Sequence, residues 1–168
     1  MSLVRIGSKP PPSFDDPVGV LETCHRKIEE RLAALVRAAA APSHPETANV
    51  LRDFMQYFDT GGVKHTLDEE ASIFPRVRAE GEAADELLET LEAEHRTAEA
   101  IYLAVRTVAQ RIIDAPDAAA DLATQAAALD AAYREHIARE ESALFPRIRA
   151  LDAAQLRAIG LEMKLRRG

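Results

Sequence analysis

The chain carries the stretch HTLDEEASIFPR at residues 65–76 and a near copy of it, HIAREESALFPR, at residues 136–147. In each copy a glutamate, Glu69 or Glu140, follows a histidine by four residues. On an α-helix this spacing places the imidazole and the carboxylate on one face, about one turn apart. One such pair is weak evidence, but two pairs in matched frames predict a metal site.

The repeat extends beyond these two stretches. His25 and His95 lie 70 residues apart and each is followed by arginine, while His65 and His136 lie 71 residues apart. The first half of the chain therefore reads as a copy of the second half. Such a repeat implies a pseudo-twofold axis through the point that the four histidines surround.

The composition favours helix along nearly the whole chain, because Ala, Leu, Glu and Arg dominate and no segment shows strand alternation. Proline and glycine divide the chain into long helices, which we expect at about 16–41, 46–79, 82–113 and 117–149. Asp152 is a suitable N-cap for a short fifth helix.

Short connections between long amphipathic helices favour antiparallel neighbours. We therefore expect an all-α protein, an up-down-up-down antiparallel four-helix bundle with a short C-terminal helix. In this interpretation residues 1–15 form an irregular lead-in, residues 16–150 form the bundle, and residues 151–168 form the C-terminal helix packed on it.

Charge and length restrict the classes of function. The chain of 168 residues fits one domain, and its 28 acidic and 21 basic residues give a net charge of −7. This excess of negative charge argues against nucleic acid and anionic membranes as partners. A single cysteine cannot form an internal disulfide, and neither a secretory signal nor a membrane span is evident. We expect a cytoplasmic protein, monomer or homodimer.

The histidines interrupt the apolar stripes of the predicted helices, so all four should face the bundle interior. The stripe of the first helix, for example, is Val18, Leu21, His25, Ile28, Leu32 and Leu35. Glu69 and Glu140 lie on equivalent stripes, and burying their charges would cost several kcal/mol each unless something positive compensated them. Lysine and arginine are absent from the stripes near them.

Two divalent cations would supply that compensation. Four imidazoles and two carboxylates are too many ligands for one tetrahedral zinc but suit two ions, each bound by two histidines, with the glutamates bridging. For any one of these residues alone, a hydrogen-bonded core histidine or a partly solvated glutamate is the alternative. The predicted metal ligands are His25, His65, Glu69, His95, His136 and Glu140.

A second ligand set competes with this one. Glu22 and Glu92 each precede a histidine by three residues, which is the Glu-x-x-His pattern of ferritin-like dimetal bundles. Leucines hold the core positions beside them, so we place both glutamates on the flanks of their helices. Glu29 and Glu99, four residues after the same histidines, are placed there for the same reason.

His25, His95 and the two His-x3-Glu-Glu-x3-Phe-Pro motifs together resemble the hemerythrin-like, or HHE cation-binding, domain over about residues 16–149. The resemblance implies a non-haem di-iron centre with an oxo or hydroxo bridge, in which the four histidines are nitrogen ligands and Glu69 and Glu140 bridge. Manganese or zinc could replace iron.

Two positions depart from the oxygen-carrying hemerythrins. Those proteins typically have a fifth histidine where this chain has Glu99, and an aspartate where it has Glu141. The ligand set of four histidines and two glutamates is more similar to the branch that includes iron-centre repair proteins and iron or oxygen sensors. Simple reversible oxygen storage is therefore disfavoured.

The resemblance and the ligand set together predict a protein that binds or reduces a small oxidant such as O2, peroxide or NO, in stress response or iron-centre repair. If it is an enzyme, it is a di-iron oxidoreductase with an unknown electron donor. The alternative is a non-enzymatic sensor or binding protein for iron or O2. Hydrolase and nucleotide-binding motifs are absent.

Gly62 and Tyr133 occupy equivalent places in the repeat, each three residues before a predicted histidine ligand. Glycine inside a helix costs about 1 kcal/mol against alanine, so a compensating role is expected. Our hypothesis is that Gly62 leaves a gap through which the oxidant reaches the metals, while Tyr133 supplies a hydroxyl near it. A close helix contact at Gly62 and an ordinary core tyrosine are the alternatives. Tyr102 either lines the same pocket or packs in the core.

The sequence does not determine the roles of three residues near the predicted ligands. Glu70 and Glu141 follow the two bridging glutamates and either orient the histidines or bind solvent. Cys24 precedes His25 but points about 100° away around the helix, so we expect a small core or flank residue there.

Overall fold

The computed structural model of the protein describes residues 13–115 and 121–168, and within these ranges it contains helices and no strand. Five helices follow one another: the first helix, Pro17–Ala40; the second, 47–78; the third, Glu82–Asp114; the fourth, 122–150; and the C-terminal helix, Ala153–Arg167. The sequence-based bounds of the first three agree within a few residues. The expected start of the fourth helix near 117 and most of the lead-in lie outside the described residues.

The helix ends follow local sequence. Asp16 caps the first helix by accepting a hydrogen bond from the backbone N–H of Gly19. Asp152 caps the C-terminal helix and forms a reciprocal capping box with Gln155, so the predicted N-cap is confirmed. Gly81 separates the second and third helices with φ of 113°, a left-handed conformation that glycine adopts readily.

The four long helices form a helical bundle. The first and third helices each pack against the second and the fourth, and the C-terminal helix packs against residues 68–73 and the first helix. Two apolar clusters fill the interior on either side of the histidines. Along the first helix, Leu21 belongs to one cluster and Ile28 to the other, with His25 between them.

The sequence predicts continuous α-helices for the second and fourth helices. In the structure both contain π-helical segments. The segments are Phe58–Gly62 and Asp68–Ile73 in the second helix and Glu140–Leu144 in the fourth. The second and third of these segments lie just before the Phe-Pro of each motif. Pro75 and Pro146 have no N–H to donate to the carbonyl four residues earlier, and the wider turn accommodates this loss.

In the described ranges, none of the helices combines the length and the hydropathy of a bilayer-crossing segment.

Candidate metal centre

All six residues that the sequence identifies as ligands meet inside the bundle, where the repeat brings one histidine from each long helix to a common centre. They form two buried groups that share both glutamates: His25 and His65 with Glu69 and Glu140, and His95 and His136 with the same pair. Within each group the four ligand atoms lie within 4.8 Å of one another. The arrangement matches the expected pair of ions with bridging carboxylates, and the binding of metal by these residues stays a prediction.

Each glutamate directs its two oxygens to histidines of different groups. Glu140 Oε2 lies 3.0 Å from His25 Nε2, and its Oε1 lies 3.2 Å from His136 Nε2. Glu69 Oε1 lies 3.3 Å from His65 Nε2, and its Oε2 lies 3.2 Å from His95 Nε2. Each carboxylate therefore offers one oxygen to each group, which is the geometry of a bridge.

In the described part of the chain, the predicted ligand atoms are not engaged in hydrogen bonds. The Nε2 atoms of all four histidines and both oxygens of Glu69 and Glu140 are buried and lack a hydrogen-bond partner of acceptable geometry there. Buried polar groups are nearly always paired, because each unpaired one costs free energy. Four nitrogen and four oxygen donor atoms around one small space fit two divalent cations.

The two carboxylates have opposite pKa shifts in the metal-free protein. Burial, and next the charge of Glu140, raise the pKa of Glu69 well above its usual value. Burial also acts to raise the pKa of Glu140, but contacts with His136 and His25 outweigh it and hold this pKa well below its usual range. Burial, followed by the charge of His25, lowers the pKa of His65 to about 3, so this imidazole is neutral at pH 7, as a ligand must be.

A second layer of carboxylates binds the outer nitrogens of three histidines. Glu141 lies 3.0 Å from Nδ1 of His25, and Glu70 lies 2.7 Å from Nδ1 of His95. A carboxylate at Nδ1 keeps the proton there and directs the Nε2 lone pair inward. Of the two roles that the sequence left open for Glu70 and Glu141, the structure therefore favours orientation of the histidines.

The third member of this layer was not identified from sequence. Glu94 lies 2.9 Å from Nδ1 of His136 and also accepts a hydrogen bond from Arg139 at 2.7 Å. Its position directly before His95 gives no local signal, because its contact depends on how the third and fourth helices face each other.

The Phe-Pro pairs of the two motifs also support the histidines. The ring of Phe145 stacks on His25 with centroids 5.3 Å apart, and that of Phe74 stacks on His95 at 6.0 Å. Each motif therefore holds a histidine of the opposite half with both an aromatic ring and a glutamate. The stacked rings are fully buried and keep water from that side of the centre.

The competing glutamates lie outside both groups. Arg149 and Arg78 each donate a hydrogen bond, at 2.9 Å, to Glu22 and Glu92 respectively. Glu29 accepts one from Arg26 at 2.6 Å, and Glu99 is exposed on the third helix. The structure places these four side chains on the helix flanks.

A cavity of about 600 Å³ opens between the second and third helices and reaches His95, with Gly62, Tyr102 and Tyr133 in its lining. Among the described residues, the atoms nearest to a Cβ on Gly62 belong to the side chain of Phe58, at 3.7 Å or more, so none of the described helices packs closely against this glycine. The hydroxyl of Tyr102 donates to Asp59 at 2.6 Å. Burial and the charges of Glu69 and Glu140 raise the pKa of Tyr133, whose hydroxyl therefore stays protonated at pH 7.

Cys24 is partly buried beside the C-terminal helix, with its sulfur 3.9 Å from a guanidinium nitrogen of Arg167. Burial raises the pKa of its thiol despite that neighbouring charge. The cysteine belongs to neither ligand group.

A helical bundle with two adjoining buried groups of two histidines and two shared glutamates defines a cation-binding helical protein. The family model for the hemerythrin HHE cation binding domain matches residues 16–148, and the chain belongs to that family. The resemblance drawn from the doubled motif is thereby confirmed. Comparisons with curated proteins and with solved structures gave no match.

Proposed function

We propose that this protein is a di-iron member of the family that binds or reduces a small oxidant such as O2, peroxide or NO. The observation that carries the proposal is the pair of ligand groups joined through Glu69 and Glu140, each of which offers one oxygen to either side. We further propose that the four long helices run up-down-up-down and antiparallel, in keeping with the short connections at 41–46 and 79–81.

Iron suits the donor set. Each group supplies four ligand atoms, fewer than the roughly six that iron or manganese accepts, so positions remain for solvent and for an oxidant. Two imidazoles and two carboxylate oxygens per ion also permit manganese or zinc. Bound iron supplies the one-electron and O2 chemistry that side chains alone do not perform.

The residues around the centre have separable roles in this proposal. Glu69 and Glu140, both fully buried, would balance part of the positive charge of the two ions. The cavity beside Gly62 gives a small molecule access to the side of His95, and the neutral hydroxyl of Tyr133, which is in the cavity lining, is available as a hydrogen-bond donor. The electron donor is a separate partner, in the cytoplasm by our proposal.

Anaerobic loading with Fe²⁺, followed by an absorption spectrum on exposure to air, tests the proposal. We expect two iron ions per chain and the near-ultraviolet band of an oxygen-bridged ferric pair. The variant Glu69→Gln should lose the band, whereas Glu22→Gln, which changes a carboxylate on the helix flank, should keep it. Failure of the wild-type protein to take up iron, or a band that survives Glu69→Gln, would contradict the proposal.

A second function, a sensor without turnover, is favoured by one contact. Buried Asp68, next to Glu69, accepts hydrogen bonds from Arg166 and Arg167 of the C-terminal helix. Metal bound at Glu69 could thus alter how firmly this helix is held. Steady-state consumption of peroxide by the iron-loaded protein separates the two functions, because a sensor should show at most one turnover per centre.

A further inference from the structure

The Nδ1 atoms, the outer nitrogens of the four histidines, differ in their hydrogen-bond partners. Carboxylates bind Nδ1 of His25, His95 and His136 at 2.7–3.0 Å. Nδ1 of His65 is buried and has no hydrogen-bond partner among the described residues, neither oxygen nor sulfur. The exception falls on one ligand group only, the one formed by His25 and His65.

The internal repeat explains the exception. Glu141 with His25 in one half corresponds to Glu70 with His95 in the other, so this pair of contacts is symmetric. By the 70-residue offset that relates His25 to His95, the counterpart of Glu94 is Cys24. A carboxylate therefore binds Nδ1 of His136, whereas the residue at the matching place is a cysteine, whose thiol makes no hydrogen bond to His65.

The charged residues near Glu94 also differ from those near its counterpart Cys24. Arg139 holds Glu94 at 2.7 Å, with its Nε toward the carboxylate. The counterpart of Arg139 is Asp68, whose carboxylate is turned to Arg166 at 2.8 Å and to Arg167. The carboxylate of Asp68 therefore binds arginines of the C-terminal helix, and no carboxylate of the described residues binds Nδ1 of His65.

We propose that the two metal positions are inequivalent, with the ion at His95 and His136 bound more tightly than the ion at His25 and His65, and that Glu94 is the positioning residue that makes the difference. The proposal rests on the two-ion site proposed above. A carboxylate at the outer nitrogen fixes the imidazole ring and increases its basicity, and loss of such a partner typically lowers metal affinity 10- to 100-fold. We expect a difference of about that size between the two positions.

Site-resolved metal occupancy tests the proposal without any activity measurement. Metal-free protein is given one molar equivalent of Co²⁺ and crystallised, and anomalous scattering compares the two positions. We expect the stronger signal between His95 and His136. Equal signals, or a stronger signal between His25 and His65, would overturn the proposal, while absence of Co²⁺ from both positions would overturn the two-ion site as well.

Matched variants identify the residue responsible. Glu94→Gln should lower the tighter affinity about 10- to 100-fold in a calorimetric Co²⁺ titration and bring the occupancy ratio toward one. Glu135→Gln is the control, because Glu135 also binds Arg139, at 3.1 Å, but the Nδ1 atom of His136 is bound by Glu94 and not by the carboxylate of Glu135. Cys24→Glu should raise the weaker affinity, and Cys24→Ser should not. An unchanged ratio in Glu94→Gln, or the same change in Glu135→Gln, would refute the role of Glu94.

Discussion

Glu69 is fully buried and has a raised pKa, so its ionised form destabilises the metal-free fold. The variant Glu69→Gln should raise the free energy of unfolding of metal-free protein at pH 7 by about 1–3 kcal/mol, because the amide has no charge to desolvate. It should also abolish the stabilisation that added metal gives the wild type. Denaturant unfolding with and without metal checks both results.

The pH dependence of this difference has a definite sign. The pKa of Glu69 is higher in the folded than in the unfolded protein, so the wild type loses stability as the pH rises above the unfolded value of about 4.3. Below that value the carboxyl is protonated in both states. The advantage of Glu69→Gln should therefore shrink as the pH falls toward 4, and an advantage that stays constant from pH 7 to 4 would contradict this explanation.

Gly62 tests the access path at the same scale. Gly62→Leu should fill the cavity beside His95 and slow the binding of azide or NO to the iron-loaded protein by about tenfold, or about 1.4 kcal/mol in the barrier. Metal content should not change. Gly62→Ala is the graded control, because a Cβ there makes only ordinary contacts with Phe58. Binding rates that are unchanged in Gly62→Leu would rule out this path.

The ligands could be predicted at the residue scale because the helical period decides which way a side chain faces. His25 lies between Leu21 and Ile28 on one stripe, and the structure buries all three. The carboxylate layer is different in kind. Glu94 lies beside His95 in the sequence but binds His136, and such a contact depends on the rotation of two helices that no local pattern determines.

At the scale of elements, the π-helical segments connect the repeated motif to the geometry of the centre. Glu69 and Glu140 both lie within such a segment, and each segment ends directly before Phe-Pro. The His-x3-Glu spacing predicts regular α-helix for the same residues, because this spacing fits one α-turn. Pro75 and Pro146 are the features of the sequence that could indicate a departure from regular α-helix. The position of the π-helical turn, which contains one residue more than an α-helical turn, depends on tertiary packing.

Pro146→Ala tests this connection. The substitution supplies the missing N–H, so the segment Glu140–Leu144 can relax toward α-helix, and the metal-free protein should become more stable by about 1–3 kcal/mol. Metal affinity should fall about tenfold as Glu140 turns from the centre. Thermal unfolding with and without metal, and calorimetric titration, measure the two effects.

Pro45→Ala, in the exposed loop between the first and second helices, is the matched control and should change neither quantity by much. A Pro146→Ala protein that binds metal as tightly as the wild type would show that the π-helical segment does not depend on the proline.

At the scale of the whole molecule, Asp68 is a buried carboxylate that joins the C-terminal helix to the segment that carries Glu69. Asp68 has no exposed surface and accepts from Arg166 and Arg167, whose side chains are 21% and 25% exposed. Replacing both with alanine should destabilise the protein by about 3–5 kcal/mol, because a buried charge loses its partners. Arg157→Ala with Lys164→Ala, two exposed positions of the same helix, should change stability by less than about 1 kcal/mol. Equal losses in the two double variants would contradict the role of Asp68.

Removal of metal should act on the whole fold and most strongly near this helix. A ligand that binds only the folded state, at a free concentration 100 times its Kd, stabilises by about 2.7 kcal/mol, and chelation should remove at least that amount. Because Asp68 is covalently next to Glu69, hydrogen exchange should accelerate in 65–73, in 136–144 and in Ala153–Arg167 before the rest of the bundle. The apolar cluster around Leu35 and Ile112 lies on the far side of the histidines and serves as the internal reference. Hydrogen exchange that accelerates uniformly along the chain would contradict a special connection between the metal centre and the C-terminal helix. A melting temperature that does not change on chelation would show that the buried ligands do not depend on metal for the stability of the fold.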